Sequence, residues 1–157
     1  MVRIKVILVG KTKEPWIKEG ISHYEKLLRK YVQLELIEVK EERISTSREK
    51  QSVLAAEAEK ILKHLMKSSL PICLDVKGES LSSEAFAQRL EENLNRGYND
   101  FTFILGGPLG LSQKLCESCT IKLSLSEMTF THEMSRVILL EQIYRAFSIL
   151  KGTGYHK

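Results

Sequence analysis

Short, β-branched apolar segments alternate with longer stretches of helical periodicity along the whole chain, and that alternation restricts the fold more than any other feature. Arg3-Ile4-Lys5-Val6-Ile7-Leu8-Val9, closed by Gly10, reads as a buried strand. Pro15 suits the first turn of a helix, and Ile17, Ile21, Tyr24, Leu28 and Tyr31 follow it at spacings of three and four. A second strand covers residues 34–39. Ser45-Thr46-Ser47 offers a cap before Glu49 for a helix with Leu54, Ala58, Ile61, Leu62 and Leu65 on one face. The run from Leu70 to Asp75 is a third strand, ended by Lys77-Gly78. Ser82 or Ser83 caps a helix bearing Phe86, Leu90 and Leu94, and Asn95-Arg96-Gly97 stops it. Phe101-Thr102-Phe103-Ile104-Leu105 is the fourth strand. A short helix over 113–117, a fifth strand over 121–123 and a long helix over 132–150 complete the order.

Such alternation predicts an α/β fold, a mostly parallel sheet with helices on both faces. A length of 157 residues fits one domain over 1–157 and suffices to bury a real core. No apolar run is long enough to span a bilayer, and no secretory signal opens the chain, so the expected compartment is the cytoplasm. Cys73, Cys116 and Cys119 are odd in number and argue against a disulfide framework. Cys116 and Cys119 form a C-x-x-C pair, but no second pair follows, and two ordinary thiols on a short helix are expected rather than a redox or zinc site. No metal is expected, because H-E-x-x-H and compact Asp/Glu/His clusters are absent.

Ligands of parallel sheets gather beyond the carboxyl ends of the strands, where two loops stand out. Gly106-Gly107-Pro108-Leu109-Gly110 leaves its backbone uncovered. Its spacing fits neither G-x-G-x-x-G nor the P-loop, so it suits a flat hydrogen-bonding group such as adenine, or else a tight turn without a ligand. Leu125-Ser126-Glu127-Met128-Thr129-Phe130 mixes hydroxyls with apolar walls, the usual character of a cofactor cradle and equally that of a partly buried connection. The final helix carries His132, Arg136, Tyr144 and Arg145; the spacing of four sets Arg136 near the His132 side, with one or both of Tyr144 and Arg145 following. The two arginines could pair with phosphate or with Glu133 and Glu141. Net charge is +4, and residues 1–30 hold eight Lys or Arg against three Glu. That basic end could meet phosphates, or be a solvated helix face.

Taken in order, Phe103 to Gly110, Leu123 to Phe130, His132 with Arg136 and Glu141 to Ala146, and the tail Tyr155-His156-Lys157 resemble the minimal SPOUT methyltransferases. More narrowly they are similar to the bacterial family that methylates N3 of a pseudouridine in large-subunit ribosomal RNA. The resemblance covers the whole chain. It implies a homodimer whose subunits each carry a deep C-terminal trefoil knot, an exception to the unthreaded connections of most folds. It further implies S-adenosylmethionine as cofactor, held by Leu74, Gly106, Leu125, Ser126, Glu127, Met128, Thr129 and Phe130. His132, Arg136 and His156 are the candidate catalytic residues, with either histidine able to take the proton, and Arg145, Tyr155 and Lys157 the candidate RNA contacts. Ribosomal RNA in the assembled ribosome is the implied partner. A SPOUT enzyme acting on transfer RNA, or a noncatalytic RNA-binding module of the same fold, are the alternatives. Two residues depart from the family pattern: Thr131, where relatives commonly carry Pro, implies a less rigid turn, and Leu109 replaces a residue that is often polar or acidic.

Overall fold

A computed structural model describes residues 1–155; His156 and Lys157 lie outside the described residues. The elements are β1 (Val2–Val9), α1 (Pro15–Leu28), β2 (Val32–Val39), α2 (Lys50–Leu62), β3 (Leu70–Ser80), α3 (Ser83–Asn95), β4 (Asp100–Leu105), α4 (Gln113–Ser118), β5 (Ile121–Ser124) and α5 (His132–Leu150). The five strands form one sheet in the order β2-β1-β4-β3-β5, and every pairing is parallel.

Burial on both faces explains the near-continuous apolar runs. On one face Ile4, Val6, Leu8, Ile72, Phe101 and Phe103 pack under Ile17 and Ile21 of α1, Phe86 and Leu90 of α3, and Leu139, Leu140 and Ile143 of α5. On the other, Ile7, Val9, Cys73 and Ile104 meet Ile61 of α2 and Leu115 and Cys116 of α4. A fully buried Leu such as Leu90 stabilises the fold by about 1.5–3 kcal/mol relative to an exposed one. α1 crosses α5 closely because Gly20 has no side chain; a Cβ there would lie 3.1 Å from a methyl of Val137.

Three local expectations change. The Ser45-Thr46-Ser47 cap is not used: α2 starts at Lys50 with Glu49 at its N-cap and no side-chain cap bond. Residues 45–48 form a turn of their own, closed by Arg48 N–H donating to the Ser45 carbonyl at 3.2 Å. Leu62 is exposed, whereas Glu57 is buried and accepts the Glu42 N–H at 3.0 Å. The Glu57 carboxyl is pushed up by that burial, against the pull of the hydrogen bond. β3 does not end at Gly78: its register against β5 breaks between Leu74 and Glu79 and then resumes as Glu79 pairs with Leu123. Gly78 permits the irregularity because a Cβ there would come within 2.8 Å of the Lys122 backbone.

Candidate active site

The carboxyl ends of β3, β4 and β5 surround a cavity of about 510 Å³, a size usual for small-molecule sites. Apolar walls come from Leu74, Leu105, Leu123 and Leu125, and the glycine loop, Ser126 and Thr129 add backbone groups and hydroxyls. Val76, Met128 and Phe130 also line it and remain 58%, 76% and 37% exposed. Asp75, Cys116 and His132 are its titratable side chains.

The glycine loop owes its residues to its own closure. Gly110 N–H donates to the Gly107 carbonyl at 3.0 Å, the two residues form an isolated antiparallel bridge, and Gly110 has φ +79°. A Cβ on Gly106 would collide with the Gly110 backbone. The tight turn and the loop that lines the cavity are therefore one object. In the second loop, Ser124 Oγ donates to the Ser126 carbonyl at 3.0 Å, and Ser126 Oγ accepts the Met128 N–H at 3.0 Å. These local bonds hold a stretch that belongs to no strand or helix.

Thr131 is the N-cap of α5. Its hydroxyl accepts the Met134 N–H at 3.2 Å, and its carbonyl accepts the Ser135 hydroxyl at 3.0 Å. Its φ of −60° is one that proline also adopts, so the turn keeps its shape and gains a side-chain cap. The implied loss of rigidity is thereby offset. Leu109 lines the cavity with no polar group to offer.

Of the implied cofactor contacts, Leu74, Gly106, Leu125, Ser126, Met128, Thr129 and Phe130 line the cavity together. Glu127 is exposed and is not among the residues that line it. Val76, Leu111 and Ser135 also line it and were not singled out by sequence, while Cys116 was read as an ordinary thiol and Thr131 as a departure from the family pattern. Ser135 was recoverable, three residues beyond His132 on one helix face. Nothing in the local sequence set Cys116 at the cavity, which it reaches through packing of α4 on β3. The thiols of Cys73, Cys116 and Cys119 are all buried, and Cys116 is pushed up by its hydrogen bond with Cys73 and by burial, which leaves it a poor nucleophile.

Arg136 requires the main correction. As a residue meant to touch substrate or phosphate it is misplaced, because its side chain is interior and 1% exposed. Nη1 donates to Thr12 Oγ1 at 2.7 Å, and Nη2 donates to the carbonyls of Val9 at 2.8 Å and Gly10 at 2.9 Å. The end of β1, made sharp by Gly10 at φ +84°, presents those oxygens. Neighbouring Glu133 accepts the N–H groups of Lys13 at 2.7 Å and Glu14 at 3.0 Å through one oxygen.

Arg145 and Tyr155 lie at the opposite end of α5, not beside His132. Arg145 pairs with Glu141, and its guanidinium stands 4.9 Å over the Tyr155 ring. Tyr155 meets Tyr144 edge-on at 4.6 Å between centroids. The Tyr24 hydroxyl is pushed up to about 12, by burial first and then by hydrogen bonding with Tyr155. At about 1.5 Å of rise per residue, Arg145 is roughly 20 Å along the helix from His132. A shared helix face is not a shared site.

Comparison with known proteins identifies the chemistry. A probable methyltransferase from Bordetella pertussis superposes with a TM-score of 0.60 at 12% identity, covering 93% of this chain and 96% of that one, which shows a common fold. A curated protein of Acetivibrio thermocellus, named ribosomal RNA large subunit methyltransferase H, is 45% identical over 99% of this chain and 100% of its own length. The Streptococcus gordonii protein of the same name is 40% identical with the same coverage. The fold, cavity and relatives define a methyltransferase. More particularly, the chain belongs to the SPOUT methyltransferase family, described as predicted SPOUT methyltransferase and matched over residues 2–156.

Proposed function

We propose that this methyltransferase uses S-adenosylmethionine to methylate N3 of a pseudouridine in large-subunit ribosomal RNA, within the assembled ribosome. The full-length likeness to relatives named for that RNA carries the reading. The cavity suits the cofactor: it combines leucine walls, the hydroxyls of Ser126, Thr129, Thr131 and Ser135, open loop backbone and the Asp75 carboxylate. Leu74, Gly106, Ser126 and Thr129 would hold it. When bound, the cofactor supplies an electrophilic methyl group whose leaving group is a neutral thioether.

The chain's own part is to place N3 in line with that methyl and to take the N–H proton as the new N–C bond forms. His132, on the cavity wall, carries the imidazole placed to take it. His156, the other candidate base, lies outside the described residues. In this reading the segment bearing both loops forms the family's deep trefoil knot. The sheet order supports it: β5 pairs with β3 rather than β4, so the chain crosses the end of β3 through α4 on one face and returns through α5 on the other.

A homodimer is the assembly that distance favours. Arg145 and Tyr155 cannot reach their own cavity from the far end of α5, whereas a second subunit can bring its pair to the exposed rim of Val76, Met128 and Phe130. Methyl-labelled cofactor and ribosomes lacking the modification test the proposal, with nucleosides analysed by mass spectrometry. N3-methylpseudouridine is the expected product; its absence while the cofactor demonstrably binds would sink the substrate assignment.

A further inference from the structure

We infer that Arg136 and Glu133 are positioning residues for the nucleic-acid substrate: they fix the β1–α1 connection beside the cavity so that Lys11 and Lys13 receive RNA phosphate. The inference rests on the RNA methyltransferase reading above. Five hydrogen bonds join one turn of α5 to residues 9–14, three from Arg136 and two to Glu133. Two other side chains of that turn, His132 and Ser135, line the cavity. One turn of helix thus couples the wall of the site to a cationic loop.

A buried guanidinium is expensive to desolvate, and good apolar packing would often serve stability as well. Among the described residues Arg136 has no carboxylate in direct contact; Nη1 and Nη2 donate to Thr12 and to the end of β1, and the buried Nε has no partner there. Those acceptors are backbone and hydroxyl oxygens of the very segment that carries Lys11 and Lys13. Lys11 is exposed and has no ion pair or hydrogen bond among the described residues. Lys13 stands 3.9 Å from Glu41 in a pair whose side chains are 73% and 39% exposed, a contact weak enough to exchange for phosphate. On the other side, a Cβ on Gly107 would lie 3.3 Å from a methyl of Val9, so the end of β1 rests directly against the cavity's glycine loop.

The test uses the full chain, ribosomes and three variants: Thr12→Val, Arg136→Lys and Lys11→Ala/Lys13→Ala. The double lysine variant should raise the KM for ribosomes roughly tenfold and reduce the salt slope by about one to two, each lysine meeting about one phosphate. Its kcat, cofactor Kd and Tm should stay at the wild-type values. Thr12→Val should raise the same KM roughly threefold, by releasing one bond of the clamp, and should add nothing in the double lysine background. Arg136→Lys, which keeps charge and one donor, should fall between Thr12→Val and loss of function. If Thr12→Val and Arg136→Lys lower Tm and leave KM unchanged, the clamp is merely structural and the inference is overturned. Additive effects of Thr12→Val and the lysine pair would overturn it too. Wild-type protein that fails to methylate ribosomes would overturn the substrate reading and this inference together, whereas active wild type with unchanged variant KM overturns this inference alone.

Discussion

The two ends of α5 are anchored by different physics. At its first turn, Thr131, Glu133 and Arg136 form directional bonds to their own helix and to the end of β1, and each has a specified partner. At its last turns the helix sits in rings: Tyr31 stacks on Phe147 at 6.4 Å, Tyr144 lies 5.8 Å from Tyr31, and Tyr155 covers Tyr144. Directional bonds position; ring packing accommodates. The end beside the cavity therefore tolerates little change, while the aromatic end can lose a ring and keep its fold.

The comparison breaks most readily at Arg136. Arg136→Met leaves the carbonyls of Val9 and Gly10 buried without their donor, and urea denaturation should show a loss of about 3–5 kcal/mol. Gly106→Ala comes next. The new Cβ meets Gly110 backbone, which cannot rotate away, so the loop must open at a cost of about 1–3 kcal/mol. Calorimetric titration should then show cofactor binding lost while the variant stays folded. Thr131→Ala removes the α5 cap and should cost about 1 kcal/mol in the same denaturation assay. At the aromatic end, Tyr155→Ala should cost no more than about 0.5–1.5 kcal/mol, with the cofactor Kd unaltered. A Tyr155 variant that lost cofactor affinity would erase the distinction between the two ends.

The smallest effect is a pH dependence away from both. Lys60 first, then Arg48, holds the Glu42 carboxyl at about 2, below its ordinary 4.5. A depressed folded value means that its contribution is complete above about 4.5 and is lost as pH falls toward 2. Thermal melts of wild type and Glu42→Gln should therefore differ at pH 6 and converge near pH 2. A constant difference across that range would show that the ion pairs contribute nothing specific.

Much of this architecture was legible because local and global signals agree. The bounds of α5, Pro15 at the start of α1 and a serine cap for α3 follow from local rules; of the two candidates Ser82 and Ser83, it is Ser82 whose Oγ accepts the Ala85 N–H at 3.0 Å. Two of the misses share a cause, a partner remote in sequence. β3 continues past Gly78 because Leu123 offers Glu79 a pairing that no local pattern reveals. Helical periodicity set Arg136 near His132, but its acceptors lie in β1 and the loop after it, more than 120 residues away. The seven implied cofactor contacts that line the cavity were recognisable by resemblance and by apolar-hydroxyl character.

The central claim is that the cavity at the ends of β3, β4 and β5 transfers methyl groups to large-subunit ribosomal RNA. Its most direct test offers unmodified ribosomes and transfer RNA together to the protein with methyl-labelled S-adenosylmethionine, followed by mass spectrometry of the nucleosides from each. Label confined to N3 of a pseudouridine in the large-subunit RNA is the predicted result. Label in transfer RNA, or none in either RNA with the cofactor bound, would contradict it.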